Sequence, residues 1–358
     1  MSQYKTTDIR NIALIGHAGA GKTSLTEALL HRAGTIPARG ELSRGTTVCD
    51  YDPQERAMQH SINPALCHFN HKNHRINILD TPGYPDLLGR SISVLSAVET
   101  GVLVINSQQG IELGTRRMME AAKRGKLCRM IVVNKIDEGI GNIDQLVAEI
   151  QEIFGAECLP LNLPTEGGAA VEDCYFNDSG QPTVVSSVEE AHQQVIDQVV
   201  EVDESLMEDY LESGKEPSPG KLHDAFEKAL REGHLIPICF TSAETGVGIT
   251  KLLEIFSQLA PNPLEGNPPA FVKGEGSDAK PVELSTDPNA HAIARVFKIA
   301  IDPYLGKLGI FRIHQGTIKS GGQLFVGDHR KPIKVAHLYN VQGKDMVEVP
   351  HGIPGDIC

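Results

Sequence analysis

The sequence predicts an α/β fold: a doubly wound, mostly parallel sheet with an inserted acidic subdomain, followed by a small antiparallel β-barrel. Three observations carry that reading. From Ile9 to about Pro261, apolar runs of strand length alternate with amphipathic segments of helix length, the rhythm of parallel strands joined by crossover helices. A glycine-rich turn follows the first of these strands. Beyond a proline-rich stretch the pattern changes to β alternation. The chain has 358 residues, 40% of them hydrophobic and 22% charged, which suits a soluble globular protein of two or three domains.

Asn11–Ile15 is short and apolar, and glycines follow it. Lys22–Arg32 reads as a helix through Leu25, Leu29 and Leu30, at three- and four-residue spacing. Ile76–Leu79, Gly101–Ile105, Met130–Val133 and Ile236–Phe240 read as further buried strands. Thr250–Leu259 closes the stretch as a helix with Leu252, Leu253, Ile255, Phe256 and Leu259 on its apolar face. The insert, about 157–233, breaks the rhythm. Within it, Val188–Glu232 holds 13 acidic and 4 basic residues, either a solvated surface or a docking face for a basic partner. Pro261–Ala290 brings six prolines and three glycines and reads as a linker. Ala292–Ile301, Gly309–Ile318 and Gln323–Val326 then alternate as strands, with Ser320-Gly321-Gly322 as a turn. The last residues, Asp356-Ile357-Cys358, read as the start of a strand, so the barrel is expected to be incomplete.

Charge and cysteine content narrow the function classes. A net charge of −13 argues against a chain that grips DNA through bulk electrostatics. No apolar run approaches the length of a membrane span, and Met1–Arg10 lacks the core of a signal peptide, so a cytoplasmic location is expected. The seven cysteines include no C-x-x-C pair and are expected to be reduced and buried. Nothing in the sequence calls for more than a monomer.

The strongest chemical signal is Gly16-His17-Ala18-Gly19-Ala20-Gly21-Lys22-Thr23, a match to G-x-x-x-x-G-K-[ST] between a strand and a helix. Its glycines let backbone N–H groups approach phosphate oxygens at a helix N-terminus. Lys22 would reach the β- and γ-phosphates, and the Thr23 hydroxyl would ligate Mg²⁺. Asp80-Thr81-Pro82-Gly83 follows a strand. There Asp80 can hold Mg²⁺ through water, and the Gly83 N–H can sense a γ-phosphate. Asn134-Lys135-Ile136-Asp137 ends another strand. The Asp137 carboxylate can accept hydrogen bonds from N1–H and the 2-amino group of guanine, whereas adenine would leave it unpaired, so the tetrapeptide points to GTP over ATP. Thr241-Ser242-Ala243 ends a further strand, where backbone N–H groups could meet the guanine O6. Cys67, His68, His71 and His74 have spacings that suit zinc, but the stretch also reads as a hairpin. Alternation there would send Cys67 and His68 to opposite faces.

With these motifs in order, an acidic insert before Thr241 and a barrel after the linker, the chain resembles the elongation factor G family of translational GTPases. Asp302-Pro303-Tyr304 and Gly316-Thr317 extend the likeness into the barrel. The resemblance implies a P-loop GTPase fold, a GTP-binding domain over 1–260, a linker over 261–290, and an incomplete translation-factor-type barrel over 291–358. It also implies GTP or GDP with Mg²⁺ as ligands, and the ribosome, both rRNA and proteins, as partner. By position, Gly19, Ala20, Gly21, Lys22, Thr23 and Ser24 would cradle phosphates. Asn134, Lys135, Asp137, Thr241, Ser242 and Ala243 would hold guanine. Gly45–Asn63 would be the first switch, with Ser61 as its Mg²⁺ ligand, and Asp80–Tyr84 would lie in the second.

Departures from the family pattern converge on hydrolysis. The family's histidine after D-T-P-G, which positions the attacking water, is here Tyr84. A phenol neither carries positive charge nor readily accepts a proton at pH 7. Gly19 replaces the usual P-loop aspartate, and Ala18 and His60 stand where the family has apolar residues. The implied activity is GTP hydrolysis that is slow or altered, with Lys22, Gly83 and Tyr84 as the catalytic candidates, in a paralogue rather than the housekeeping translocase. Alternatives are a fully active translocase, a non-hydrolysing GTP-dependent binding module, and a P-loop kinase, against which Asn134–Asp137 speaks.

Overall fold

A computed structural model describes residues 4–139, 141–274, 279–285, 287–302, 305–327 and 331–358. Pro303 and Tyr304 of the resemblance, and residues 275–278 and 286 of the proline-rich stretch, lie outside the described residues.

The first 260 residues form a seven-stranded sheet in the order β2-β3-β1-β4-β5-β9-β6. Its strands are β1 (Ile9–Ile15), β2 (Ala65–His71), β3 (His74–Asp80), β4 (Thr100–Asn106), β5 (Cys128–Asn134), β6 (Cys158–Pro160) and β9 (Ile236–Phe240). The pairings are parallel except for the β2–β3 hairpin. Both faces are covered, so the strands alternate between two apolar cores. In β1, Ile12 and Leu14 enter one core while Ala13 and Ile15 enter the other. Helix α1 (Lys22–Arg32) and α9 (Ile249–Gln258) pack on one face. Helices α4 (Leu113–Arg124) and α5 (Ile143–Phe154) pack on the other. Short α2 (Pro53–Met58) lies between α1 and β2 along the chain, and α3 (Leu88–Val94) between β3 and β4.

Two sequence expectations change. Cys158–Pro160, at the start of the stretch read as an insert, joins the main sheet as an edge strand, because it pairs with Ile236–Ile238. A run of only three residues carries too little periodicity to be recognised as a strand. The rest of the stretch contains β7 (Asn162–Pro164) and β8 (Val171–Asp173), then α6 (Val188–Val200), α7 (Glu204–Ser213) and α8 (Pro219–Glu232). Within the proline-rich stretch, β10 (Phe271–Lys273) and β11 (Lys280–Val282) pair as antiparallel strands, so the segment is not wholly irregular.

The remaining residues form antiparallel ladders. The longest joins β12 (Ile293–Asp302) to β13 (Gly306–Gln315), with the pairing slipping by one residue between Val296 and Lys298. The other strands are β14 (Ile318–Lys319), β15 (Gln323–Leu324), β16 (Ile333–Lys334), β17 (Tyr339–Gln342), β18 (Asp345–Glu348) and β19 (His351–Gly352). Ile313, Ile318, Leu338 and Cys358 make their small core. The final residues close against β13, Phe311 and Cys358 exchanging both backbone hydrogen bonds.

This half docks on the sheet through polar contacts. Arg312 is buried and pairs with Glu99 (Nη2–Oε1 2.8 Å), and Glu99 Oε2 accepts a bond from Asn11 Nδ2 at 2.9 Å. Asn11 Nδ2 also donates to Gly355 O at 3.1 Å. On the β2 edge, the Gly343 N–H donates to Leu66 O at 2.8 Å, and His68 Nδ1–H donates to Val341 O at 3.1 Å. Among the described residues, no helix is long and apolar enough to cross a membrane.

Candidate functional site

The C-terminal ends of β1, β3, β5 and the segment after β9 converge beside the point where strand order reverses about β1, the usual crevice for ligands in open α/β sheets. There the turn after β1 bends back on itself through positive φ at Gly16 (135°), Gly19 (81°) and Gly21 (87°). A Cβ at Gly16 would stand 2.4 Å from Val104 O, and one at Gly21 2.5 Å from Asn134 Nδ2, so no side chain fits either position. A cavity of about 310 Å³ opens over the turn, its wall including Gly19, Lys22, Ser24, His60, Gly83 and Tyr84.

Lys22 begins α1 and is buried. Its Nζ donates to Gly16 O (3.0 Å) and His17 O (2.8 Å), and burial brings its pKa down to about 8, against the pull of Asp80. Thr23 Oγ1 donates to Asp80 Oδ2 at 2.7 Å and lies 3.2 Å from Ser61 Oγ. Three residues assigned to Mg²⁺ therefore meet from α1, β3 and the segment before β2. Sequence reading missed a fourth. Asp50 is buried beside them, and with burial it raises the Asp80 carboxyl to about 7. Oδ1 of Asp80 and both carboxylate oxygens of Asp50 are buried without a hydrogen-bond partner among the described residues. Such oxygens beside two hydroxyls are the donor set of a hard cation, so the residues fit Mg²⁺. Only the carboxylate type at position 50 could have signalled this, and it belongs to no motif.

The segment leaving β3, Asp80–Tyr84, lies close on the turn. A Cβ at Gly83 would be 2.5 Å from both Ala18 N and Lys22 Nζ, so the segment approaches the turn as only glycine can. Thr81 Oγ1 donates to Leu14 O (2.7 Å) and Ser91 Oγ to Pro82 O (2.7 Å), holding both flanks. Tyr84 is 45% exposed, and its ring lies 4.4 Å from that of His60 at a tilt of 46°. Two of the departures from the family pattern, Tyr84 and His60, therefore touch each other at the mouth of the cavity.

Asn134 ties the turn after β1 to the loop after β9. Its Nδ2 donates to Ala20 O (3.2 Å), and its Oδ1 accepts from Ala243 N (3.0 Å) and Thr241 Oγ1 (3.3 Å). Lys135 adopts φ 68° and bonds Glu138 at 3.0 Å. Asp137 is exposed. The expectation for the third loop needs correction. The Ser242 N–H already serves Val247 O (2.9 Å), and the Ala243 N–H serves Asn134, because the loop closes on itself. The zinc spacing resolves into the hairpin β2–β3, with Cys67 Sγ 3.5 Å from Cys49 Sγ and His68 turned toward Val341.

The model of the elongation factor Tu GTP binding domain matches residues 7–262, and that of elongation factor G domain 2 matches residues 291–358. The chain belongs to the elongation factor G-like translational GTPases. Among curated relatives of this family, an elongation factor G-like protein of Mycobacterium tuberculosis is 32% identical over 98% of the chain and 52% of its own length. Elongation factor G of Mycoplasma pneumoniae is 29% identical over 99% of the chain and 54% of its own length. A crystal structure of a Thermus thermophilus protein aligns with TM-score 0.83 and 31% identity, covering 98% of this chain and 52% of that one. The chain thus spans about half the length of the curated relatives it matches.

Proposed function

We propose that this chain binds GTP and GDP with Mg²⁺ and hydrolyses GTP slowly, as the nucleotide-binding part of an elongation factor G-like protein that works on the ribosome in the cytoplasm as a monomer. Its parts would be a GTP-binding domain over 1–260, a linker over 261–290 and a barrel domain over 291–358. The observation that carries the reading is Asn134, whose side chain joins the phosphate turn at Ala20 to the loop at Thr241 and Ala243. One amide thereby fixes the distance between a phosphate cradle and a base-binding pocket.

In this reading, Gly19–Ser24 present N–H groups to phosphate oxygens at the start of α1. Lys22 gives up the carbonyls of Gly16 and His17 for the β- and γ-phosphates, whose charge restores its basicity. Thr23, Ser61, Asp80 and Asp50 would hold Mg²⁺, which when bound supplies positive charge to the phosphate oxygens. Asp137 selects guanine. Tyr84 and His60 cover the mouth, and the phenol that stands where the family has a histidine neither carries positive charge nor readily accepts a proton at pH 7, which supports slow turnover. Titration calorimetry with GDP, a non-hydrolysable GTP analogue and ATP, each with Mg²⁺, tests the proposal. Both guanine nucleotides should bind and ATP should not. Equal affinity for the two purines, or none for any, overturns it.

A further inference from the structure

We infer that Lys298 and Glu55 are positioning residues for Ser61: they clamp Ile62–Pro64, so docking of the second half of the chain holds the first-switch hydroxyl beside Thr23. The inference rests on the nucleotide reading above. It adds a route by which residues beyond the nucleotide domain act on the phosphate site.

The clamp closes from three elements. From α2, the buried Glu55 accepts hydrogen bonds on Oε1 from the backbone N–H groups of Ile62 (3.0 Å) and Asn63 (2.9 Å). Its own orientation is fixed by the helix cap, the Asp52 N–H donating to Oε2 at 3.3 Å. From α3, which follows the second switch, Arg90 Nη1 donates to Ile62 O (3.0 Å) and Asn63 Oδ1 (2.7 Å). From β12, Lys298 Nζ donates to Pro64 O at 2.5 Å, across 234 positions of sequence. Ser61, the residue before this clamped segment, meets Thr23 at 3.2 Å.

The fold is built to deliver Lys298 there. The slip between Val296 and Lys298 is a bulge at Phe297, and a bulge re-aims the side chains around it. Phe297 packs against the core shared with the main sheet, while Lys298 reaches Pro64. Burial lowers the pKa of the Lys298 ammonium and Arg90 adds to that, with Glu55 acting the other way.

Two measurements on the full chain test the clamp. Trypsin nicking at Arg44 and Arg56, without nucleotide, reads whether the first switch is held. Dissociation of a fluorescent non-hydrolysable GTP analogue against that of fluorescent GDP, each with Mg²⁺, reads whether the hold serves the triphosphate. A charge-assisted hydrogen bond lost in Lys298→Met should speed nicking and analogue release about 10-fold, leaving GDP release within about 2-fold. Lys298→Arg should restore both, and Lys298→Gln should fall between. Unchanged nicking, or analogue and GDP release rising by the same factor, overturns the inference. If the wild-type chain binds no guanine nucleotide, the nucleotide reading fails and takes the role of Ser61 with it. The nicking rates would still show whether Lys298 holds the segment.

Discussion

Arg312 and Glu99, 213 positions apart, form a buried ion pair at 2.8 Å that joins β13 to the segment entering β4. Arg312 also donates to Ala97 O at 3.2 Å, and Glu99 takes a further bond from Asn11, so neither charge is left bare. Removing one partner strands the other. Arg312→Met should cost about 3–5 kcal/mol in urea unfolding, and Arg312→Met with Glu99→Met should regain part of that loss. Equal stability of the single and double variants would count against the pair.

Gly83 offers the most direct steric test of the second switch. A methyl group at this position has only 2.5 Å to Ala18 N and to the Lys22 ammonium. Gly83→Ala should therefore lift the segment off the turn, weakening the GTP analogue about 10-fold or more while sparing GDP, as the loss of a single well-made contact does. Titration calorimetry with the two nucleotides checks the split.

The proposed function makes Tyr84 the residue that sets the speed of hydrolysis. On that reading, introducing an imidazole with Tyr84→His should raise the rate of GTP hydrolysis by about 10²–10⁴-fold, the usual worth of one positioned acid–base group. His60→Val should not substitute for it, although the two rings touch at 4.4 Å. A rate unchanged by Tyr84→His means that some other group already does the work.

Acid should loosen the contact between the two halves. His68 is held neutral, its pKa lowered to about 4 by burial and then by Arg75, with the bond to Val341 O acting the other way. Its unfolded value is near 6.5, so between pH 6.5 and 4 the unfolded chain takes up a proton that the folded chain refuses. Its contribution to stability is whole above about pH 6.5 and falls as pH drops toward about 4, by about 1–3 kcal/mol. His68→Gln keeps an N–H donor without titrating. The difference in urea midpoint between it and wild type should therefore shrink or reverse from about pH 7.5 to about pH 5.

The motifs were legible because each is local. Gly16–Thr23, Asp80–Gly83 and Asn134–Asp137 each place a turn and a side chain within a few residues of a strand end, and the strands announce themselves by unbroken apolar runs. What could not be read are contacts whose partners lie far apart in sequence. Nothing near Lys298 announces Pro64, and nothing near Glu99 announces Arg312. Asp50 and Glu55 look like ordinary surface acids of a polar stretch, and only folding buries them. The Ser242 and Ala243 N–H groups looked available because a tripeptide does not show where its own loop will turn. Cys158–Pro160 was hidden for a related reason, since an edge strand of three residues is recognisable only by its neighbour.

The bulge at Phe297 makes one of the links between the halves sensitive to chain length as well as to residue type. Loss of that one codon would leave Val296 opposite Phe311 and Lys298 opposite Ile310 in a regular ladder, removing both the ring that packs into the shared core and the local distortion that aims the lysine. Most point changes along the ribbon would leave the link standing. Comparing spacing, more than identity, along this strand is therefore the way to find relatives in which this one contact has been lost.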